Sequence, residues 1–219
     1  MSKKIFGKIY DNKRSDSWAS RLRKKRVAFL ESLITSIPTP VKMLDVGGRP
    51  VFWEQSGFLN QDFREIELTF INLEPHNHPH CKCLVGDARN LHQFKDKEFD
   101  IVFSNSVIEH VGDYNDQCQM ANEIKRVGKR YFVQTPNLYF PIEPHFLFPY
   151  FQFLSVDIKA WLFTHFSMGW YPKISDEQEA RDLATQTQLL SKKILINLFP
   201  EATLYEEKIF GLTKSLIVY

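Results

Sequence analysis

Apolar residues along this chain fall into two patterns. Short, mainly apolar runs stop at polar or turn residues: Val41-Lys42-Met43-Leu44, Leu68–Leu73, Leu84-Val85-Gly86, Phe99–Phe103 and Tyr131–Gln134. Runs of that length, bounded by turn residues, read as buried strands. Between them lie stretches with helical character. Trp18, Leu22, Phe29, Leu33 and Ile37 predict a helix to about Ser36, capped by Ser15 or Ser17 and stopped by Pro38 and Pro40. A short helix is expected over Pro50–Phe58 and another over Asp116–Val127, with Gly128 as its C-cap. Ser175 and Gln178 form a capping box for a helix reaching about Phe199. Ala202–Ile209 and Thr213–Val218, around Phe210-Gly211-Leu212, read as a β-hairpin. Strands alternating with helices argue for an α/β fold, a mostly parallel sheet with helices on both faces.

One segment breaks the alternation. Tyr139–Pro172 is dense in aromatics, poor in charge and interrupted by prolines. It reads as an insertion after strand five with its own small core, and also as a lid supplying apolar walls to a site. The organisation expected is a single domain over 1–219. Residues 1–40 form an arm and helix, 41–138 a cofactor-binding core, 139–175 the lid-like insertion and 176–219 the final helix and hairpin.

Composition narrows the class. The chain has 219 residues, 43% of them hydrophobic and 25% charged, so a real core is expected. A formal net charge of +2 makes no electrostatic case for nucleic acid. The basic knot Arg21, Arg23, Lys24, Lys25 and Arg26 reads as a solvated helix face or as a patch for an anionic head group. Three cysteines make no disulfide framework, which fits a reducing, cytoplasmic location. No stretch is apolar enough for a signal core or a membrane span.

The candidate chemistry gathers at strand ends. Asp45 is followed by Gly47 and Gly48, a turn whose backbone can approach a ligand closely. Glu74 follows the second strand, where an acid can hold two vicinal ribose hydroxyls; it also reads as an ordinary loop acid. His76, His78, His80, Cys81 and Cys83 are metal-ligand types, but they form one short run with no second cluster. That run is expected to be a polar loop without a structural metal, and no metal ligand is assigned.

In order, the chain offers an acid-then-glycine turn, an acid after strand two, Gly86-Asp87-Ala88 after strand three, and FDIVFSNSVIEHV around strand four. A closing hairpin follows strand five. The set resembles the class I S-adenosylmethionine-dependent methyltransferases, most closely the small-molecule, type 11-like branch, over residues 40–137 and the final hairpin. The resemblance implies a Rossmann-like, seven-stranded sheet, S-adenosyl-L-methionine as cofactor, and small-molecule biosynthesis in the cytoplasm. It implies that Asp45, Gly47 and Gly48 meet the methionine part. Glu74 then holds the ribose, Asp87 beside Ala88 faces the adenine amine, and Asn105 offers its backbone. Arg49-Pro50 departs from the family, which usually has further small residues there.

The implied reaction is methyl transfer by direct displacement to a small, partly apolar acceptor, at a hydroxyl or carboxyl oxygen or an activated carbon. His145 is the first candidate base, with Glu143 nearby to orient it; it also reads as a structural histidine in a proline-rich turn. His110 is the second. Two other classes stay open. A nicotinamide-dependent oxidoreductase shares the opening but wants a fuller glycine motif. A cofactor-binding protein without catalysis shares every motif. Expected partners are the small-molecule acceptor, no nucleic acid, no integral membrane, and a second copy of the chain through the aromatic insertion.

Overall fold

The computed structural model describes residues 18–56, 58, 66–143 and 145–219. The N-terminal arm, the caps at Ser15 and Ser17 and the side chain of Trp18 lie outside that description. Contact patterns divide the chain into two compact units, one running to Ser104 with Glu123–Phe132, the other Asn105–Asn122 with Val133–Tyr219.

The first unit opens with α1 (Trp18–Ile34). Its buried stripe is Leu22, Arg26, Val27, Leu30 and Ile34. That stripe is rotated from the expected one, and Phe29 and Leu33 sit at its margin. The basic knot is divided accordingly. Lys24 and Lys25 are exposed and Arg26 is buried, while Arg23 donates to the Gln55 side chain and lies over the Phe52 ring.

Next come β1 (Val41–Val46), α2 (Pro50–Ser56), β2 (Ile66–Asn72) and β3 (Lys82–Val85). β4 (Phe99–Asn105) begins here as well. β1 pairs in parallel with β2 and β4, and β2 with β3. An aromatic stack fills the middle. Trp53 packs on Phe58 and Phe103, at centroid separations of 4.6 and 4.8 Å, and Phe103 stacks on Phe132. Each such pair adds about 0.5–1.5 kcal/mol beyond its burial.

Beneath that stack lies Asp45, only 1% exposed. The Trp53 indole N–H donates to its Oδ2 at 2.6 Å, and Oδ1 has no partner among the described residues. Gly47 turns the chain with φ 77°, and its N–H donates to the Ile71 carbonyl. A Cβ on Gly48 would come within 1.8 Å of Asp45 Oδ2. The glycine therefore closes over the carboxylate, and only a residue without a side chain fits.

α3 (Tyr114–Val127) and β5 (Gly128–Pro136) each run through both units. Gly128 is a correction: it opens β5 and does not cap α3 in the left-handed conformation. Its missing Cβ would stand 2.6 Å from Val102 Cγ2, so close packing between strand and helix end explains the glycine.

In the second unit the aromatic segment forms β6 (Ile142–Glu143), β7 (Phe148–Pro149), a 3-10 turn at Phe151–Phe153 and α4 (Val156–His165). Phe146, Phe151, Phe163, Met168, Ile174 and Ala180 form a core of their own there. The single helix expected to reach Phe199 is two: α5 (Glu177–Thr185), capped by Asp176, and α6 (Lys192–Leu198), capped by Ser191. Between them the Gln188 N–H donates to the Glu109 carbonyl, and the Leu190 carbonyl accepts from the Leu138 N–H. An unbroken helix would forgo both bonds.

The chain closes with β8 (Leu204–Ile209) and β9 (Leu212–Val218), antiparallel, with a bulge at Glu207/Lys208. Phe210 and Gly211 take φ 49° and 80°, the two positive angles of a two-residue hairpin turn. Among the described residues, seven strands form one sheet in the order β3-β2-β1-β4-β5-β9-β8. No described helix is long and apolar enough to cross a membrane.

Burial pushes the Asp45 pKa up from 3.8 to about 7, against the lowering effect of the Trp53 hydrogen bond. The folded state then keeps a proton that the unfolded chain releases. The stability this confers is full below about pH 4 and is lost as pH rises to about 7, at about 1.4 kcal/mol per pH unit at most. Urea unfolding of wild type and Asp45→Asn at pH 5 and pH 8 checks this. The variant should gain relative stability at the higher pH, and a wild-type-to-variant difference that ignores pH would refute the assignment.

Candidate active site

In the first unit, three loops at the carboxyl ends of β1, β2 and β3 are tied to one another. The Asn72 side-chain amide donates to the carbonyls of both Gly47 and Gly48, at 2.9 and 3.1 Å. The Asn72 carbonyl in turn accepts from the Gly86 N–H at 3.0 Å. Loops beyond the carboxyl ends of parallel strands are where open α/β sheets bind ligands.

Glu74 stands at the lip, its side chain 66% exposed, and Arg49 Nη2 pairs with it at 2.9 Å. An exposed pair of this kind contributes at most about 1 kcal/mol, so a ligand can displace the arginine. Asp87 is engaged differently. Arg89 grips both carboxylate oxygens through Nε and Nη2. The Arg89 hydrogen bond lowers the Asp87 pKa despite burial, which keeps the group ionised and acceptor-only.

In the second unit the chain leaves β4 at Asn105 and turns at Ser106, whose φ of 56° is unusual for a residue with a side chain. The Ser106 N–H and hydroxyl hold that turn on Gln134. A single 3-10 turn, Ile108–His110, follows. It sends Glu109 inward, 0% exposed, while His110 stays at the surface. Thr135 Oγ1 donates to Glu109 Oε2 at 3.0 Å, and Glu109 Oε1 has no partner among the described residues. Burial raises the Glu109 pKa to about 7 against the opposing charge of His145.

His110 Nε2 and His145 Nε2 face each other at 3.1 Å. His145 Nδ1 lies 2.5 Å from Glu143 Oε1. Glu143 is 2% exposed, and its other oxygen accepts the backbone N–H groups of His145 and Phe146. Burial alone would lower the His145 pKa, but the Glu143 hydrogen bond and the charges of Glu143 and Glu109 outweigh it and raise it. Desolvation, with His145 opposite, takes His110 down to about 4. At this separation one imidazole nitrogen donates and the other accepts, as the tautomers decide.

A cavity of about 360 Å³ also belongs to the second unit. Leu138, Phe146, Phe151 and Val156 give it apolar walls, and Glu143 and Lys159 add charge.

Among residues expected from sequence, Asp45 lies near the end of β1, and Gly47, Gly48 and Glu74 lie on adjoining loops of the first unit, with Asp87 and Ala88 just beyond Gly86. Glu143, His145 and His110 form one hydrogen-bonded chain in the second. The histidine–cysteine run closes as a turn through a His78–Cys81 bridge. Burial raises the Cys81 thiol to about 11. Sequence reasoning missed Asn72, Trp53 and Glu109. The last carried a signal, an acid set in the apolar Val107-Ile108-Glu109-His110-Val111, since an acid inside such a run is headed for burial.

Comparison with known proteins follows the same lines. A family model described as a methyltransferase domain matches residues 59–131. An uncharacterized protein of Mycobacterium tuberculosis, known in two strains, is 38% identical over 56 residues, 26% of this chain and 19% of its own length. The matched stretch thus spans less than a fifth of those relatives. Among solved structures, the CurJ carbon methyltransferase superposes with TM-score 0.60 at 11% identity, over 93% of this chain and 55% of that one. The PH0226 protein of Pyrococcus horikoshii OT3 gives 0.53 at 19% identity, over 97% and 93%. Phosphoethanolamine N-methyltransferase 2 of Haemonchus contortus, in complex with S-adenosyl-L-methionine, gives 0.53 at 15% identity, over 87% and 39%. These structural likenesses speak for the fold. The family-model match over residues 59–131 and the strand order together mark this chain as similar in fold to methyltransferase domains.

Proposed function

We propose that this chain transfers a methyl group from S-adenosylmethionine to a small, partly apolar acceptor, at a hydroxyl or carboxyl oxygen or an activated carbon. The observation that carries the reading is the loop set around Gly47, Gly48 and Glu74, knotted by Asn72. The residues suit the cofactor. Glu74 is exposed, paired with an exchangeable arginine, and able to accept from two hydroxyls. Gly47 and Gly48 carry no side chains of their own, so a ligand can come close to their turn, whose carbonyls Asn72 holds in place. When bound, S-adenosylmethionine supplies a methyl group on a positively charged sulfur, open to direct displacement.

The acceptor's apolar body suits the cavity walled by Phe146, Phe151 and Leu138. A body of that kind gains about 25 cal/mol for each Å² withdrawn from water. His145 is the group proposed to take the acceptor's proton, held in one orientation by Glu143. The free cysteines are consistent with work in the reducing cytoplasm. The rival reading, cofactor binding without catalysis, is separated by incubating the protein with labelled cofactor and candidate acceptors.

Two measurements check these roles. Calorimetry on Glu74→Ala should show cofactor binding weakened by roughly 1.5–3 kcal/mol, the scale of a hydrogen bond to a charged group. Unchanged affinity in a folded variant would remove Glu74 from the site. With an acceptor in hand, His145→Ala should depress kcat far more than it alters cofactor affinity. Equal losses in both would assign His145 to structure.

A further inference from the structure

We propose that Glu109, His110 and His145 form a binding site for one divalent transition-metal ion, with zinc the best match to the ligand set. The site lies wholly within the second unit. One ligand atom from each residue lies within 4.8 Å of the others. The two Nε2 atoms stand 3.1 Å apart. Two nitrogens bound to a tetrahedral zinc are separated by about 3.3 Å, given Zn–N distances of about 2.0–2.1 Å. The imidazoles already sit close to the spacing that an ion would impose.

Glu109 supplies the independent observation. It is fully buried, Thr135 fixes one carboxylate oxygen, and the other has no hydrogen-bond partner among the described residues. A buried carboxylate oxygen without a partner is costly, and a cation satisfies it. Behind the ligands stands the support that metal-bound histidines usually have. His145 Nδ1 is hydrogen-bonded to the buried Glu143, which two backbone N–H groups hold in turn. This leaves Nε2 facing its partners with its lone pair. His110 is exposed, so an ion has a way in. Two histidines and one carboxylate are also the ligand set of open zinc sites, which keep a fourth position for water or substrate.

The site departs from the metal-free expectation drawn from sequence, which weighed only the contiguous histidine–cysteine run. Binding of the ion does not rest on the methyl-transfer reading. With the ion bound, both His145 nitrogens are engaged, so His145 would hold a Lewis acid toward the acceptor instead of taking its proton, and that role does rest on the methyl-transfer reading.

The test uses untagged full-length protein stripped with a chelator and dialysed. Equilibrium dialysis with zinc, and cobalt(II) as a spectroscopic probe, should show one ion per chain, with the intense visible absorption of low-coordinate cobalt. Glu109→Gln keeps the Thr135 bond and the shape, and should weaken zinc at least about tenfold. His110→Ala truncates an exposed side chain with little risk to folding and should do the same. Glu143→Gln should weaken zinc by about 10- to 100-fold, the usual effect of losing a ligand's support. Cys81→Ser should change nothing. The proposal is overturned if the stripped protein binds no zinc at micromolar concentration. It is equally overturned if zinc persists in Glu109→Gln and His110→Ala but is lost in Cys81→Ser. Calorimetry with S-adenosylmethionine on the stripped protein reports separately on the methyltransferase reading, because the proposed cofactor loops contain none of these ligands.

Discussion

A carboxylate sealed beneath a turn constrains the whole first unit. Asp45 cannot leave its place: the Trp53 indole holds one oxygen and the backbone of Gly48 passes directly over it. That one arrangement fixes the exit of β1, the entry of α2 and the position of the aromatic stack around Trp53. It also explains why the turn carries two glycines for two different reasons. Gly47 is needed for its backbone angle, Gly48 for the space its missing side chain leaves. A rigid turn suits a ligand site, since a loop already in position loses little entropy on binding.

Much of this was legible because the informative residues are neighbours in sequence. The runs at Val41, Leu68 and Phe99 announced strands, since an apolar run bounded by turn residues has few other ways to be buried. The glycine turn and Glu74 could be placed from their position at strand ends alone. The failures have a shared cause, competition between two readings of one residue type. Gly128 reads equally as a helix cap or as a close approach, and only the nearness of Val102 decides. Ser191 is a helix start hidden inside a composition that also suits helix continuation. In α1 the buried stripe includes Arg26, which apolar periodicity does not anticipate.

The second unit was harder to read for a topological reason. Its polar cluster joins Glu109 and His110 to residues 35 positions away, through a turn at Ser106 held in a rarely populated conformation. No local pattern encodes that convergence. A non-glycine residue with positive φ at the end of a strand is a recurrent mark of functional turns, because the surrounding bonds must hold it there. Gln134 provides that hold through its backbone carbonyl and its side chain. What remained visible in one dimension was the acid lodged among Val107, Ile108 and Val111.

The two outer strands of the sheet carry a further consequence. An outer strand presents unpaired amides and carbonyls that could recruit a strand from another chain. β3 answers with brevity, at four residues. β8 is longer, and it is interrupted by the bulge at Glu207/Lys208, beside which Lys192 and Lys208 bracket Glu206 in charge. Both borders are thereby poor templates for strand addition. The sheet can stay long without inviting fibrous assembly, even with Phe210 held out at the tip of its last hairpin.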